Sequence, residues 1–238
     1  MLETAFVLCA GLGKRMGPLT QTCPKPLLPA WGSPLLEFIL ERLAQTGVKN
    51  LVVNTHYLAP QVDDYLKLWE GRFERIQISH ETSLLETGGA IRQALPLLGH
   101  TPFWVVNGDV IFDPHESVSL FSQMGQAWRH LEDSGKRVEA LLGILPKENA
   151  WGYEGRGDFF QESHGGLTFR GDQGEAPFVY TGVQILDPQN LNIFEPGYFS
   201  AKVFWDALIA KKTLHGFLWK GSWFHVGTHK AYQDLPLL

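Results

Sequence analysis

Short apolar runs alternate with segments of helical periodicity along the first 110 residues of the chain. Runs of this length entering glycine or polar turns are typical of strands buried in a parallel sheet. They occupy residues 5–10, 50–57, 76–81 and 102–112, and the last run breaks at Gly108-Asp109. Apolar residues at helical spacing lie between them, at residues 33–47, 59–69 and 87–98. The alternation predicts an α/β fold with a mixed, mainly parallel central sheet flanked by helices.

The segment 33–47 shows the clearest helical pattern. Five apolar residues recur at a spacing of three to four: Leu35, Leu36, Ile39, Leu40 and Leu43. We expect these to form one buried face. Ser33 is the predicted N-cap, with Pro34 in the first turn, and Gly47 is the predicted stop.

The second half is less regular. A helix is expected from about residue 115 to 140 and another at 200–212, with strands at 138–145 and 177–186 and short strands within 213–228. Residues 147–176 are rich in glycine, charge and aromatics, which favours loops and short hairpins. No linker, charge run or long repeat divides the chain, so we predict a single domain spanning residues 1–238.

Composition narrows the function classes. The chain has 238 residues, of which 44% are hydrophobic and 19% charged, with a net charge of −5 and a pI near 6.0. This charge disfavours a protein that coats nucleic acid but allows a small anionic ligand. Two cysteines make no disulfide framework. No signal-peptide pattern and no apolar run of about 18–20 residues is present, so we expect a cytoplasmic protein with no membrane segment.

The loop after the first strand, "AGLGKRMGPLTQTCPKPL" at residues 10–27, is the strongest candidate for ligand binding. Its glycines lie at 11, 13 and 17. A P-loop needs Lys and Ser or Thr after the last glycine, whereas Pro18 follows here. A dinucleotide fold needs an acidic residue ending the second strand, which here ends "NTHY". Two interpretations of the loop remain. It is either a simple turn with solvated basic side chains or a triphosphate-binding loop of another kind.

In a triphosphate loop these residues have defined uses. Gly11 and Gly13 allow the backbone to approach phosphate oxygens. Arg15 can bind phosphates in a bidentate manner. Lys25 lies between Pro24 and Pro26, which stiffen its segment and so restrict where its ammonium points.

The loop resembles the signature of sugar-phosphate nucleotidylyltransferases, and further segments match in family order. They are "VVNTHYLAPQV" (52–62), "ETSLLETGGAI" (81–91), "VVNGDVIFD" (105–113), "YTGVQILDP" (180–188) and "GSWFHVGTHKAYQDL" (221–235). The chain is most similar to short N-acetylmuramate 1-phosphate uridylyltransferases of cell-wall recycling, and next to mannose-1-phosphate guanylyltransferases. The resemblance implies a Rossmann-like domain with a nucleotide-binding half (about 1–114) and a small sugar-binding β/loop region (about 138–228). No hexapeptide repeat follows residue 228, so no β-helix extension is expected.

The resemblance implies roles for the loop. Ala10, Gly11 and Gly13 would contact the nucleotide through the backbone, Arg15 would bind the triphosphate, and Lys25 would lie at the α-phosphate or the sugar phosphate. Catalysis would rest on positioning and charge, with no covalent nucleophile.

The same resemblance assigns Asp109, at the end of a strand, as a ligand to Mg²⁺. Asn107 would touch the nucleotide or serve as a structural amide. Glu81 and Gly88 would read the base, with a surface carboxylate and a helix-entry turn as the alternatives. An acceptor at Glu81 suits uracil N3–H and also the N–H groups of guanine.

On the sugar side, Asp158, Thr181 and Gly182 match binding residues but also suit hairpin positions. We interpret His56 as structural.

The family motif W-x-D-V/I-G-T reads "SWFHVGT" here, so His225 replaces the second metal-binding Asp. Imidazole suits Mn²⁺ or later divalent ions better than Mg²⁺. Three outcomes are open: Asp109 and the phosphates suffice to bind the metal, the preferred metal changes, or catalysis weakens. We expect that Asp109 and the phosphates suffice.

The leading hypothesis is an enzyme that transfers a nucleotidyl group from UTP to N-acetylmuramate 1-phosphate and releases pyrophosphate. A mannose-1-phosphate guanylyltransferase is the first alternative and a cytidylyltransferase a weaker one. A nucleotide-binding regulatory protein, with catalysis weakened by His225, is the alternative of another class. A dinucleotide-dependent oxidoreductase lacks its expected acidic residue.

Overall fold

The computed structural model describes residues 2–113 and 117–236. Within these residues the strands, in chain order, are β1 Thr4–Leu8, β2 Pro29–Ala30, β3 Ser33–Pro34, β4 Asn50–Thr55, β5 Arg75–His80, β6 Phe103–Asn107, β7 Ile111–Phe112, β8 Ala140–Pro146, β9 Ala150–Trp151, β10 Phe159–Gln161, β11 Leu167–Phe169, β12 Phe178–Leu186, β13 Leu214–Leu218 and β14 Trp223–Phe224. The α-helices are α1 Leu35–Gln45, α2 Ala59–Lys67, α3 Glu86–Leu98, α4 Ser117–Asp133, α5 Lys202–Ala210 and α6 His229–Gln233.

One twisted sheet runs through both halves of the described chain. Its strand order is β11-β10-β12-β6-β1-β4-β5, and β8 joins it by pairing with β12 and β13. The strands β6, β1, β4 and β5 pair in parallel, whereas β12 pairs antiparallel with both β6 and β8. The fold is therefore an α/β fold with a mixed sheet, as the alternation predicts.

Helices cover both faces of this sheet. On β1, Ala5 and Val7 point to the face packed by α1, α2 and α4, while Phe6 points to the face packed by α3 and α5. Both faces of the strand are buried, which is why the sequence shows a continuous apolar run there instead of an alternation. The predicted face of α1 is confirmed, because its five apolar residues are at most 1% exposed.

The start of α1 differs from the sequence expectation. Ser33 and Pro34 form β3, so the helix begins at Leu35 and Ser33 is not the N-cap. The Ser33 hydroxyl instead donates to Glu37 Oε1 at 2.7 Å. Because Ser33 and Pro34 pair with β2 through the backbone, the helix begins only after them.

A small second sheet returns the C-terminal segment to the end of β6. Its order is β7-β14-β9, with Trp223 opposite Phe112 on one side and Ala150 on the other. Residues 225–227 follow β14 directly, so this pairing determines where they lie. Among the described residues, none of the helices combines the length and the apolar character that a membrane crossing requires.

Candidate functional site

The glycine loop leaves the carboxyl end of β1 and folds back over it. Gly13 has φ +61°, and a Cβ there would lie 2.8 Å from Thr20 Cγ2 and 3.3 Å from Lys25 Cβ. The Thr20 hydroxyl donates to the Gly13 carbonyl at 3.1 Å, which closes the turn. By contrast, a Cβ added to Gly11 would meet nothing within 4 Å. Gly13 is therefore needed for the loop itself, whereas Gly11 borders open space.

Lys25 follows Pro24 at the start of a short 3-10 helix, Lys25–Leu27. Its side chain is only 11% exposed, and its Nζ lies 2.5 Å from Asp109 Oδ2. Asp109 reaches this point because Gly108, just beyond β6, packs against the end of β1: its N–H donates to the Leu8 carbonyl at 3.0 Å. The ion pair thus joins the end of β6 to the far end of the glycine loop.

Two adjoining cavities open at the carboxyl ends of β1, β4 and β6. The larger has a volume of about 400 Å³ and is bordered by the loop from Cys9 to Arg15, by Asn54, and by residues 81–87. The smaller, of about 230 Å³, is bordered by residues of β12, β14 and the segment 153–158. Five residues border both cavities: Arg15, Lys25, Asn107, Asp109 and Gly227. The shared residues mark a charged junction between two binding spaces.

Arg15 lies at this junction and borders both cavities. Arg15 is exposed. Within residues 2–113 and 117–236 its side chain makes no hydrogen bond or ion pair. An arginine in this condition at a cavity mouth retains its full set of donors for an anionic ligand.

Glu81, just beyond β5, borders the larger cavity and is only 1% exposed. Its Oε1 accepts from Asn54 Nδ2 at 2.7 Å and its Oε2 accepts from the Leu85 backbone N–H at 3.0 Å. Burial raises the pKa of Glu81, while the two hydrogen bonds oppose that shift. The carboxylate is thus held in place on two sides. His56 Nδ1 contacts the Glu81 carbonyl at 2.8 Å, in keeping with a structural role.

Gly88, which we expect to allow close approach of a base, is not among the residues that border either cavity. A Cβ there would be 2.5 Å from the Phe199 ring and 2.7 Å from the Ser200 carbonyl. The glycine is required for close packing between α3 and the segment before α5. Glu86 and Thr87, which directly precede Gly88, do border the larger cavity.

The smaller cavity contains Asp158, whose Oδ2 accepts from the Tyr180 N–H at 2.9 Å. Burial raises the pKa of this carboxyl group. Gly182, with φ +84°, lies where the pairing of β12 with β8 shifts register, and an added Cβ would meet Val110 Cγ1 at 2.7 Å. Asp158 and Gly182 therefore border the cavity predicted for a sugar.

Thr181 does not border either cavity. It is fully buried, and its hydroxyl donates to the Gly143 carbonyl at 2.9 Å within the sheet. Alternation along β12 directs this side chain to the opposite face from its neighbours. The sequence match places Thr181 beside a sugar, but the geometry gives its side chain a structural role.

His225 borders the smaller cavity among aromatic rings. Its ring centroid lies 5.6 Å from that of Tyr153 and 5.3 Å from that of Trp223. Nδ1 lies 3.4 Å from the Gly152 carbonyl, and burial lowers the pKa of the imidazole. Asp109 borders the same cavity. Within the described chain, no cluster of three or more His, Cys, Asp and Glu side chains forms a ready-made metal site.

Several cavity residues had no role in the sequence analysis: Asn54, Thr87, Tyr153, Tyr180, Trp223 and Gly227. Asn54 had a usable signal, since an amide inside the apolar run of β4 needs a buried partner. The aromatic residues had none, because packing explains buried aromatics equally well.

Comparisons with known proteins relate the chain to nucleotidyl transferases. Residues 4–154 match the model of the nucleotidyl transferase family. The chain is 38% identical over 233 residues to an N-acetylmuramate alpha-1-phosphate uridylyltransferase of Caulobacter vibrioides, covering 96% of this chain and 93% of that protein. It is 30% identical over 240 residues to a mannose-1-phosphate guanyltransferase of Aspergillus fumigatus, covering 96% of this chain and 62% of that protein.

Among solved structures, the fold resembles that of a UDP-glucose pyrophosphorylase complexed with UDP-glucose. The TM-score is 0.76 with 20% sequence identity, and the superposition covers 98% of this chain and 96% of that one. At this identity the likeness concerns the fold.

Proposed function

The chain belongs to the nucleotidyl transferase family of enzymes, and from that premise we propose that it transfers a uridylyl group from UTP to N-acetylmuramate 1-phosphate and releases pyrophosphate. The observation that carries this proposal is the pair of adjoining cavities sharing Arg15, Lys25 and Asp109. A transfer between two phosphorylated substrates needs two binding spaces that meet at a centre of positive charge. The substrate pair follows that of the Caulobacter relative.

The nucleotide occupies the larger cavity in this proposal. The backbone of Ala10, Gly11 and Gly13 lines its phosphate side, and Glu81 faces its base side. An ionised carboxylate accepts hydrogen bonds only, which suits the N3–H of uracil. Cytosine presents an acceptor at that position, so it is disfavoured.

The sugar phosphate occupies the smaller cavity. Asp158 and the backbone at Gly182 border it, and the rings of Tyr153 and Trp223 form an apolar wall. A carboxylate beside an aromatic wall is suited to a sugar, which offers hydroxyl donors along its edge and C–H groups on its face. Its 1-phosphate then points to the junction of the cavities.

At the junction the sugar-phosphate oxygen attacks the α-phosphorus, and the bond to the pyrophosphate oxygen breaks. Lys25, which borders both cavities, stabilises charge on the α-phosphoryl oxygens. Arg15 stabilises the departing pyrophosphate. Preorganised charges of this kind contribute through electrostatic stabilisation of the transition state, with no protein nucleophile.

Asp109 is the residue best suited to hold a divalent cation. It provides hard oxygen ligands and is about one-third exposed at the junction, and Mg²⁺ commonly takes one or two carboxylates together with substrate phosphates. Such an ion supplies charge neutralisation between the phosphates. His225 borders the same cavity, and its lowered pKa favours the neutral imidazole that ligation requires.

The test is a matrix of four nucleoside triphosphates against several sugar 1-phosphates, including those of N-acetylmuramate and mannose, scored by pyrophosphate release. We expect the highest kcat/KM for UTP with N-acetylmuramate 1-phosphate. A maximum at GTP with mannose 1-phosphate would instead favour the guanylyl alternative, which the Aspergillus relative supports. Thermal stabilisation by nucleotides with no turnover of any pair would favour a regulatory binding protein and reject the proposal.

A further inference from the structure

A chain of three hydrogen bonds crosses the floor of the larger cavity, and Asn54 is at its centre. The Cys9 backbone N–H donates to Asn54 Oδ1 at 2.6 Å. Asn54 Nδ2 donates to Glu81 Oε1 at 2.7 Å, and the Leu85 N–H donates to Glu81 Oε2 at 3.0 Å. The chain links the residue after β1 to the residue before α3.

The topology explains why these groups meet. Strand β4 lies between β1 and β5, and Asn54 is paired with Leu8 on one side and Ser79 on the other. Because all three strands are parallel, their carboxyl ends meet at one edge of the sheet. Cys9 and Glu81, each just beyond its strand, therefore flank the Asn54 side chain.

The residue type matters as much as its place. Asn54 is 3% exposed, so an unsatisfied polar group here or on its neighbours would be unfavourable. A primary amide presents an acceptor to Cys9 and a donor to Glu81 at the same time. A carboxylate would place like charges together, and an apolar side chain would leave both neighbours without a partner.

We propose that Asn54 is a positioning residue that holds the Glu81 carboxylate as an ionised hydrogen-bond acceptor and so sets which nucleobases the larger cavity accepts. This rests on the proposed function, in which Glu81 faces the base. An ionised carboxylate has about four acceptor positions, and the two internal hydrogen bonds occupy two of them. The remaining positions select bases with a ring N–H on the pairing edge, namely uracil (N3–H) and guanine (N1–H). Cytosine and adenine present a ring-nitrogen acceptor there and are disfavoured.

The sharpest variant is Asn54→Asp. It keeps the size of the side chain and the acceptor for Cys9 N–H, but it places a second carboxylate against Glu81. Two adjacent carboxylates share a proton, because both cannot readily be ionised together. The proton lies between the two carboxylates and withdraws negative charge from Glu81. Glu81 then favours a ring N–H less strongly over the acceptor N3 of cytosine. Asn54→Ser is the second variant. Its hydroxyl can still donate, but it lies one bond closer to the backbone than Asn54 Nδ2, so the hydrogen bond to Glu81 is lost without added charge.

Thr55→Val provides the matched control. Thr55 follows Asn54 on the same strand, is 1% exposed, and makes its own partly buried contact, Oγ1 to His80 Nδ1 at 3.4 Å. This variant disturbs the same strand but leaves the Glu81 carboxylate and its partners in place. It therefore reports the effect of a buried polar deletion without loss of positioning.

The experiment measures Kd for UDP, CDP, GDP and ADP by calorimetry on each variant, with Tm as a check on folding. We expect the CDP-to-UDP and ADP-to-GDP ratios of Kd to fall about tenfold or more in Asn54→Asp and Asn54→Ser. The ratios should stay within twofold of wild type in Thr55→Val. For the preferred triphosphate, KM should rise more than kcat falls, as expected for lost binding shared by ground and transition states.

Equal weakening of all four nucleotides, or unchanged ratios with a lower Tm, would show a purely structural role and overturn the inference. A wild-type protein that binds UDP no better than CDP and GDP no better than ADP would also overturn it. Preference for GDP with turnover of GTP alone would reject UTP as substrate, yet the ADP-to-GDP ratio would still test Asn54. The two proposals therefore fail separately.

Discussion

Lys25 Nζ lies 2.5 Å from Asp109 Oδ2, although 84 residues separate the two in sequence. The side chains are 11% and 31% exposed, so solvent screens this pair less than it screens a surface ion pair. The contact brings an ammonium group and a carboxylate, for which we propose phosphate binding and metal binding, to one point between the two cavities. It is the structural centre of the proposed reaction.

Asp109→Asn should lower kcat by about a hundredfold or more, the size expected for loss of a major electrostatic group in an active site. The substitution keeps the shape and an acceptor for Lys25 but removes the counter-charge of a mostly buried ammonium, so Tm should also fall and kcat is measured well below the melting range. Pyrophosphate release at saturating substrates measures the effect. Asp64→Asn is the control: the Asp64–Lys67 pair also joins an Asp to a Lys but lies on the surface, with side chains 72% and 68% exposed, and Asp64 borders neither cavity. Equal activity of the two variants would exclude Asp109 from catalysis.

Arg15→Ala should lower kcat/KM for UTP by about a hundredfold and leave Tm unchanged within error. Arg15 makes no hydrogen bond or ion pair within residues 2–113 and 117–236, so its loss removes nothing from that part of the fold. Arg15→Lys should recover only part of the loss, because an ammonium lacks the bidentate geometry. Arg75→Ala, at an exposed position on β5, is the control. A large fall in Tm for Arg15→Ala would contradict this view.

Gly13→Ala and Gly11→Ala should separate stability from binding. At Gly13 the left-handed backbone and the contact with Thr20 make alanine unfavourable by about 1–2 kcal/mol. For a chain of this size we expect a fall in Tm of about 2–8 °C. At Gly11 an added methyl group meets open space, so KM for UTP should rise with Tm unchanged. Thermal melts measure Tm, and UTP titrations measure KM. A fall in Tm for Gly11→Ala together with an unchanged Tm for Gly13→Ala would refute the loop assignment.

Asp158→Asn should stabilise the protein near neutral pH while weakening sugar-phosphate binding. Burial raises the pKa of Asp158 in the folded state, so ionisation destabilises the wild type as pH rises above the usual Asp value of about 3.9. The Tm advantage of the variant should therefore be larger at pH 7.5 than at pH 4.5. KM for the sugar phosphate should rise about tenfold, with KM for UTP within twofold. A Tm difference that does not change with pH would contradict the burial argument.

His225 is tested with a metal series. We expect wild-type turnover with Mg²⁺, because Asp109 and the phosphates provide hard oxygen ligands, and a gain with Mn²⁺ if the neutral imidazole ligates. His225→Asp should shift the preference toward Mg²⁺. Initial rates of pyrophosphate release with Mg²⁺, Mn²⁺ and Co²⁺ measure this. No wild-type turnover with any of the three ions, together with activity in His225→Asp, would show that the histidine impairs the enzyme.

Local patterns predicted most of the elements, and their errors have local causes. The buried face of α1 followed from five leucine and isoleucine positions, all confirmed. The start of the same helix was wrong, because pairing between β2 and β3 overrides the capping preference of Ser33. Helix α6 was missed, since its five residues have no apolar face to mark it.

Local backbone chemistry was enough to predict where some site residues lie. It was not enough for residues whose position depends on packing against other elements. Gly13 and Lys25 were predicted from glycine and proline chemistry within the loop and lie at the cavities. Gly88 and Thr181 matched two other family segments, yet Gly88 packs against Phe199 and the Thr181 hydroxyl donates a hydrogen bond within the sheet. A motif match does not specify which face of an element meets a ligand, because that depends on what packs opposite.

The sequence by itself determined the α/β alternation, the identity of the glycine loop and the residue types available for phosphate chemistry. These follow from backbone preferences and hydrophobic periodicity, which act over a few residues. Only the tertiary structure decided which groups meet: Lys25 with Asp109, and Cys9 with Asn54 and Glu81. Those contacts depend on the order and register of parallel strands, which bring distant segments to one edge of the sheet.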